Sequence, residues 1–300
     1  MKAKENNLWD EFCKYYEEER NYCDKLKNDE KDFCKQINDY FYDYVNKIYD
    51  NLKELKLIDK DKGKKIDFSF QTTPIIGYSD TAYKKGGVVI IGYNEHKGKD
   101  ADDENKDNDE KKRKCPKESH ERNYTNETRD KLLDCYQYYT FFTQDDYGLD
   151  LKKCFDGNVK FVELIPIRTK GTKDLNKVLD KLKKKGEDKY NLSKEKNVFQ
   201  YFLLNVLLKE INPDLIICNS SESSKIFDKE NNKNNICYWN NIPVILSGQI
   251  TGNKKPDNYN MIRIIKQIKE EFKEIYEKKC NTKSGQRDFC EKLKKCFSKN

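Results

Sequence analysis

The chain has 300 residues, of which 38% are charged and only 35% belong to the hydrophobic set, so core positions must be found by periodicity rather than by average hydropathy. The formal net charge of +7 comes from 60 basic against 53 acidic residues mixed along the chain; there is no dense basic stripe of the kind that neutralises many phosphates, and the pattern reads as a solvated mixed-charge surface. No run approaches the ~18 to 20 apolar residues that span a bilayer, and Met1 to Trp9 has no apolar signal core, so a soluble chain without a membrane span is expected.

From Trp9 to about Leu57 the pattern is helical. Phe33, Ile37, Tyr40, Phe41, Tyr44, Val45, Ile48, Leu52 and Leu55 recur at three- and four-residue steps. This predicts one apolar stripe on a helix of about six turns, with Trp9, Phe12 and Tyr16 on a shorter helix before it. Residues 1–65 read as a helical, cysteine-bearing extension that ends in the charged connector Asp59 to Lys65. Ile66 to Ile76 (IDFSFQTTPII) alternates briefly before Pro74 and predicts an extended entry or an edge strand. Gly77 to Gly87 is a loop rich in Ser, Asp, Thr and Tyr.

The stretch Gly86 to Gly98 (GGVVIIGYNEHKG) organises the rest of the chain. Val88, Val89, Ile90 and Ile91 form a continuous β-branched run, as a strand covered on both faces of a parallel sheet requires, and the run empties into a polar turn. Three later stretches repeat this pattern: Val159 to Ile165 before Pro166 to Thr169, Asp214 to Cys218 before Asn219 to Ser221, and Pro243 to Leu246 before Ser247 to Gln249. Helical periodicity lies between them, in Tyr124 to Tyr147, in Asp174 to Lys185, in the stripe Phe199, Phe202, Leu203, Val206, Leu207 and Ile211, and in Met261 to Ile275. Lys97 to Glu118 is almost wholly charged or amide and cannot bury enough apolar surface to offset its ordering entropy, so a mobile insertion is expected there.

The fold class read from these units is α/β: a three-layer α/β/α arrangement on a central four-stranded parallel sheet over 66–276, preceded by the helical extension and followed by a polar, cysteine-bearing tail, 277–300. In such a sheet ligands lie outside the carboxyl ends of the strands, so the four polar clusters would converge on one rim. Asn219 precedes Glu222 at capping-box spacing, which predicts a helix amino terminus at Asn219 to Ser221 that favours an anion.

Eleven cysteines occur, an odd number, and no C-x-x-C pair is among them, so neither a zinc site nor any cofactor is expected. Cys218 reads as a small buried hydrophobe inside a strand. The groups Cys13, Cys23, Cys34 and Cys280, Cys290, Cys296 fit either disulfide frameworks in an oxidising compartment or reduced thiols in a cytosol.

Taken together, GVVIIGYN (87–94), FVELIPIRT (161–169), NPDLIICNSS (212–221) and PVILSGQITG (243–252) resemble the uracil-DNA glycosylase-like superfamily over roughly Phe68 to Tyr276. That resemblance implies excision of a flipped nucleobase by hydrolysis of its N-glycosidic bond, with DNA or RNA as partner. Asn94 matches the position that orients the attacking water or contacts the base, and Gly92 and Tyr93 shape the pocket floor. Glu95 stands where the family has Pro and is a candidate water-activating carboxylate. Ser247, Gly248 and Gln249 occupy the late motif, where the family's His is absent and Gln249 offers a hydrogen bond to a base carbonyl instead. His96 is either a general acid or anion contact at the rim or an exposed loop residue. Arg168 either grips a phosphate bidentately or caps neighbouring carbonyls, and Asn219 and Ser220 complete the substrate side.

FCKYYEEERNYCDKL with DFCKQINDYFYDY near the start, and EIYEKKCNTKSGQRDFCEKLKKCF at the end, resemble the cysteine-bearing helical segments of the interspersed-repeat variant surface antigens of malaria parasites. That second resemblance implies a non-catalytic interaction protein, secreted or displayed on a surface. A third expectation keeps the α/β fold but gives it nucleic-acid binding without chemistry.

Overall fold

The computed structural model describes residues 3–53, 55, 66, 68–71, 73–77, 82–96, 149–169, 171–184, 188–192, 197–227, 235–247, 258–280 and 287–298. The charged insertion 97–118, the helix expected over 124–147 and Gln249 lie outside the described residues. The chain divides into two compact units, one built from Met1–Pro74, Asn94–Asp109 and Glu163–Ile211, the other from Ile75–Tyr93, Glu110–Val162 and Asn212–Asn300.

In the first unit, helix α1 (Ala3–Cys23) and helix α2 (Asn28–Leu52) are joined end to end by the Cys23–Cys34 disulfide. The stripe read from the sequence is the buried face of α2: Phe33, Ile37, Phe41, Tyr44, Val45, Ile48 and Leu52 are all buried, while Tyr40 is turned out to 42% exposure. The helix ahead of it is longer than Trp9, Phe12 and Tyr16 suggested, because those rings stack along α2; Trp9 lies 4.7 Å from the Tyr49 ring and Tyr16 4.4 Å from that of Tyr42. Helix α3 (Leu151–Cys154), a single turn, belongs to the second unit. Helix α4 (Thr172–Lys184), in the first, buries Leu175, Val178, Leu179 and Leu182.

Residues 198–211 make helix α5, whose middle, Phe202–Leu207, is π-helical between the α-helical ends Val198–Tyr201 and Leu208–Ile211. The extra residue of the π turn advances the phase of the buried face by one position. Leu208 is therefore buried with Leu203 and Leu207, and Val206 is only half-buried, although a regular stripe places Val206 inside. Phe202, on this turn, stacks flat on Tyr44 of α2 at 4.0 Å between ring centroids.

Among the described residues, one sheet has seven strands: β1 (Phe68–Phe70), β2 (Ile76–Gly77), β3 (Val88–His96), β4 (Val159–Thr169), β5 (Leu215–Cys218), β6 (Ile236–Trp239) and β7 (Ile242–Leu246), hydrogen-bonded in the order β1-β4-β3-β5-β7-β6 with β2 also on β4. β3, β5 and β7 run parallel, whereas β1 and β2 are antiparallel to β4, and β6 to β7. The sheet is thus larger than the four strands expected, and mixed. Its β6–β7 hairpin turns on Asn240 and Asn241, both at positive φ (48° and 67°), the conformation a two-residue hairpin with the right twist requires and that Asn tolerates.

Two strands also run on where turns were expected. β3 continues through Gly92, Tyr93, Asn94, Glu95 and His96, and β4 continues through Pro166, Ile167, Arg168 and Thr169. β4 finds partners for its extra length: Arg168 is opposite Ser69 of β1, and Gln71 N donates to Pro166 O at 2.7 Å. Asn94, Glu95, His96 and Arg168 are therefore strand residues rather than turn residues.

Helix α6 (Ser221–Ser224) follows β5 directly. The core of the second unit packs Val88 and Ile90 of β3, Leu215 and Ile217 of β5 and Ile245 of β7 against helix α7 (Asn258–Cys280), which contributes Ile264, Ile265, Ile268, Phe272 and Ile275. Helix α3 and helix α8 (Arg287–Phe297) join this same core through Leu151, Phe155, Phe289 and Leu293. Residues 287–297 are hence a packed amphipathic helix where the sequence pattern suggested only a polar tail, and the Cys280–Cys290 disulfide ties α8 to α7.

Candidate functional site

The register of the parallel strands places Ile91, Cys218 and Leu246 at one level, since Ile91 pairs with Cys218 and Cys218 with Leu246. The residues after them, Gly92 and Tyr93, Asn219 and Ser220, and Ser247, share the carboxyl rim of the second unit. Of the residues singled out from the sequence, these five are brought together. Arg168, Asn94, Glu95 and His96 belong to the first unit, and Gln249 is outside the described residues.

The polar groups at the rim are used to fasten its strand ends. Asn219 N donates to Ile91 O at 2.8 Å, and Ser223 Oγ donates to the same carbonyl at 3.1 Å. Ser247 donates twice to Cys218 O, through N at 3.2 Å and through Oγ at 2.8 Å. Ser220, not Asn219, caps α6: its Oγ accepts from Ser223 N at 2.9 Å and donates to Ser223 Oγ at 2.8 Å. The capping-box spacing misplaced the cap by one residue because Asn219 is still held to the edge of β3. The helix is a single turn, Ser221–Ser224, so its dipole is small and carries no anion site.

Two ionisable groups flank this rim. The Tyr93 phenol is pushed up to about 12, chiefly by burial and secondarily by the Glu222 carboxylate. Burial raises the Cys218 thiol well above its usual range, Cys237 adds to the rise, and the Ser223 hydroxyl offsets a little of it. Cys218 is fully buried and protonated, as expected of a small core hydrophobe. Among the described residues, the rim presents the Tyr93 phenol and no thiolate.

A second polar constellation, absent from the sequence reading, lies where β3, β4 and β5 begin. Lys160 is completely buried, and its Nζ donates to Gly86 O at 2.9 Å and to Asn158 Oδ1. Asp214 Oδ2 accepts from Gly87 N at 2.8 Å. Gly86 and Gly87 both have positive φ, 80° and 75°, and a Cβ on Gly87 would lie 2.2 Å from Asn158 O, so no other residue fits there without moving backbone. Burial pulls the Lys160 ammonium down to about 7, against the Asp214 carboxylate. The only sequence signal for this cluster was the Gly-Gly pair, since a lysine one residue into an apolar strand looks like an edge residue.

Among the described residues, no group of three or more His, Cys, Asp or Glu side chains could hold a metal ion, and no helix is long and apolar enough to cross a membrane. The chain matches no family model, no curated protein and no solved structure.

Proposed function

We propose that the protein is a non-catalytic interaction protein of an oxidising compartment, a disulfide-braced α/β scaffold that engages a macromolecular partner through its surface. The observation that carries this reading is the internal use of the rim hydroxyls: Ser220, Ser223 and Ser247 all spend their protons on one another or on the carbonyls of Ile91, Ser220 and Cys218. A hydroxyl committed to fastening strands is not available as a nucleophile or as a donor to a developing charge. The Cys23–Cys34 and Cys280–Cys290 disulfides support the compartment, because such bonds persist where glutathione and thioredoxin do not reduce them.

A second reading, a nucleobase-processing or nucleic-acid-binding protein of the uracil-DNA glycosylase-like kind, is favoured by Tyr93 and Asn219 sharing one strand-end rim. It is accompanied by a finer reading of the fold, in which β4 is a fourth parallel strand of a three-layer α/β/α arrangement; the hydrogen bond from Val88 N to Asn158 O where β3 and β4 begin supports it.

One experiment separates the two. The purified chain is incubated with single- and double-stranded oligonucleotides carrying uracil, hypoxanthine, xanthine or oxidised bases, and alkali-labile breaks are scored. The first reading expects none, and no binding whose strength falls steeply with salt. Breaks that vanish on Asn94→Ala would overturn it in favour of excision. Recovery of Cys23, Cys34, Cys280 and Cys290 as alkylatable thiols from protein taken from its source cell would remove the oxidising compartment.

A further inference from the structure

Cys154 ends α3, and Cys296 lies in the last turn of α8. Neither is disulfide-bonded, both are buried, at 4% and 2% exposure, and both belong to the apolar core of the second unit. Their side chains are in hydrogen-bonding contact with each other. This contact is one of three that run along a single face of α8. Phe289 packs its ring 6.4 Å from that of Phe155, and Lys292 Nζ lies 3.4 Å from Asp156 Oδ2, so positions 289, 292 and 296, spaced by three and four residues, meet 155, 156 and 154. Residues at that spacing share one face of a helix, so the pairing of the thiols comes from how the whole helix is seated, not from one chance rotamer.

We propose that Cys154 and Cys296 form a third disulfide, which fastens the carboxyl end of α8 to the turn that leads into β4. The bond would complement Cys280–Cys290, which holds the amino end of α8 to α7. The two cross-links together would clamp α8 at both ends on the core that its Phe289 and Leu293 help to fill.

The oxidant named by the chemistry is a small disulfide of the glutathione class. One cysteine thiolate attacks a sulfur of the oxidised glutathione, forming a mixed disulfide and expelling one glutathione thiolate. The second cysteine then attacks the protein sulfur of that mixed disulfide, forming the Cys154–Cys296 bond and expelling the second glutathione. Two thiol protons and two electrons leave the protein, and one disulfide is reduced to two thiols. Burial, then the neighbouring Cys154, drives the Cys296 thiol far above its usual range, so the bond closes while α8 is docking and water still reaches the sulfurs, not after the core has shut.

The test is a disulfide map of the full chain. The protein is refolded in a buffer of reduced and oxidised glutathione, remaining thiols are alkylated, and peptides are analysed before and after reduction, with Cys280–Cys290 as the internal standard for oxidation. The expected result is a linked peptide pair carrying Cys154 and Cys296 that separates on reduction with a gain of about 2 Da. In a Cys154→Ala chain that pair should vanish and Cys296 should be recovered alkylated. Recovery of Cys154 and Cys296 of the unaltered chain as alkylated thiols, or joined to any other cysteine, would overturn the proposal.

Discussion

Replacing Lys160 by Met should abolish a pH dependence of stability that the buried amine imposes. Burial pulls the Lys160 ammonium from its ordinary 10.5 to about 7 in the folded protein. Between those two values the unfolded chain still holds a proton that the folded chain has released, so native stability rises with pH at about 1.4 kcal/mol per unit. Below about 7 both states carry the proton, and the cost of burying the charge is full and constant. From pH 7.5 to 9.5 the gain is about 2 to 3 kcal/mol for the unaltered chain. Methionine carries no proton and contributes no slope. It also deprives Gly86 O and Asn158 Oδ1 of their lysine donor, a pH-independent loss of about 1 to 3 kcal/mol. At pH 7.5 the buried amine costs the unaltered chain about 4 kcal/mol, more than the lost hydrogen bonds cost the variant, so Lys160→Met should be the more stable chain there by about 1 to 3 kcal/mol and should lose that advantage at pH 9.5, where it falls level with the unaltered chain or below it. Urea unfolding followed by circular dichroism, run on both chains at both pH values, measures this; taking the difference between chains cancels the titration of every other group. A difference that is the same at pH 7.5 and 9.5 would refute the reasoning, because it would mean that the amine stays charged in the fold.

Glu271 on α7 is buried, with Gln267 Nε2 donating to its Oε1 at 3.0 Å, and burial raises its carboxyl from 4.5 to about 7. The unfolded chain loses that proton first, so this group's contribution to stability is complete below about pH 4.5 and is lost as pH rises to about 7; Glu271→Gln should remove the slope and raise stability at pH 7.5 by about 1 to 3 kcal/mol, as thermal melts at pH 5 and 7.5 would show. Leu293→Ala in the fully buried face of α8 should cost about 2 to 5 kcal/mol by urea midpoint, whereas a residue in a solvated tail would change it by no more than about 0.5 kcal/mol.

Much of the fold was legible because local chemistry agreed with it. The period of Phe33, Ile37, Phe41, Tyr44, Val45 and Ile48 is that of a helix with one buried face, and the β-branched run Val88 to Ile91 can be satisfied only by a strand covered on both sides; each element comes from spacing alone. Asn219, Ser220 and Ser247 could be placed at one rim for the same reason, since a parallel sheet aligns its strand ends.

Other features were decided only by neighbours distant in the chain. Whether Ile167 to Thr169 turns or stays extended depends on whether a second strand lies alongside, and that strand is β1, far earlier in the chain. The burial of Lys160 depends on carbonyls at Gly86 and Asn158 that no periodicity marks. The π turn in α5, where Phe202 stacks on Tyr44 of another helix, shifts the buried face by one residue, and no regular period marks it. Helix α8 looked polar because its apolar residues are few, yet Phe289, Leu293 and Cys296 suffice once a core is there to receive them. The sequence by itself therefore determined the long amphipathic helices and the apolar runs that open β3, β4, β5 and β7, with the faces that seek burial, because those depend on contacts within a few residues. Strand lengths, the mixed sheet, the use of the rim hydroxyls and the pairing of cysteines were decided by the tertiary structure, because each is a contact between groups that only the folded chain brings together.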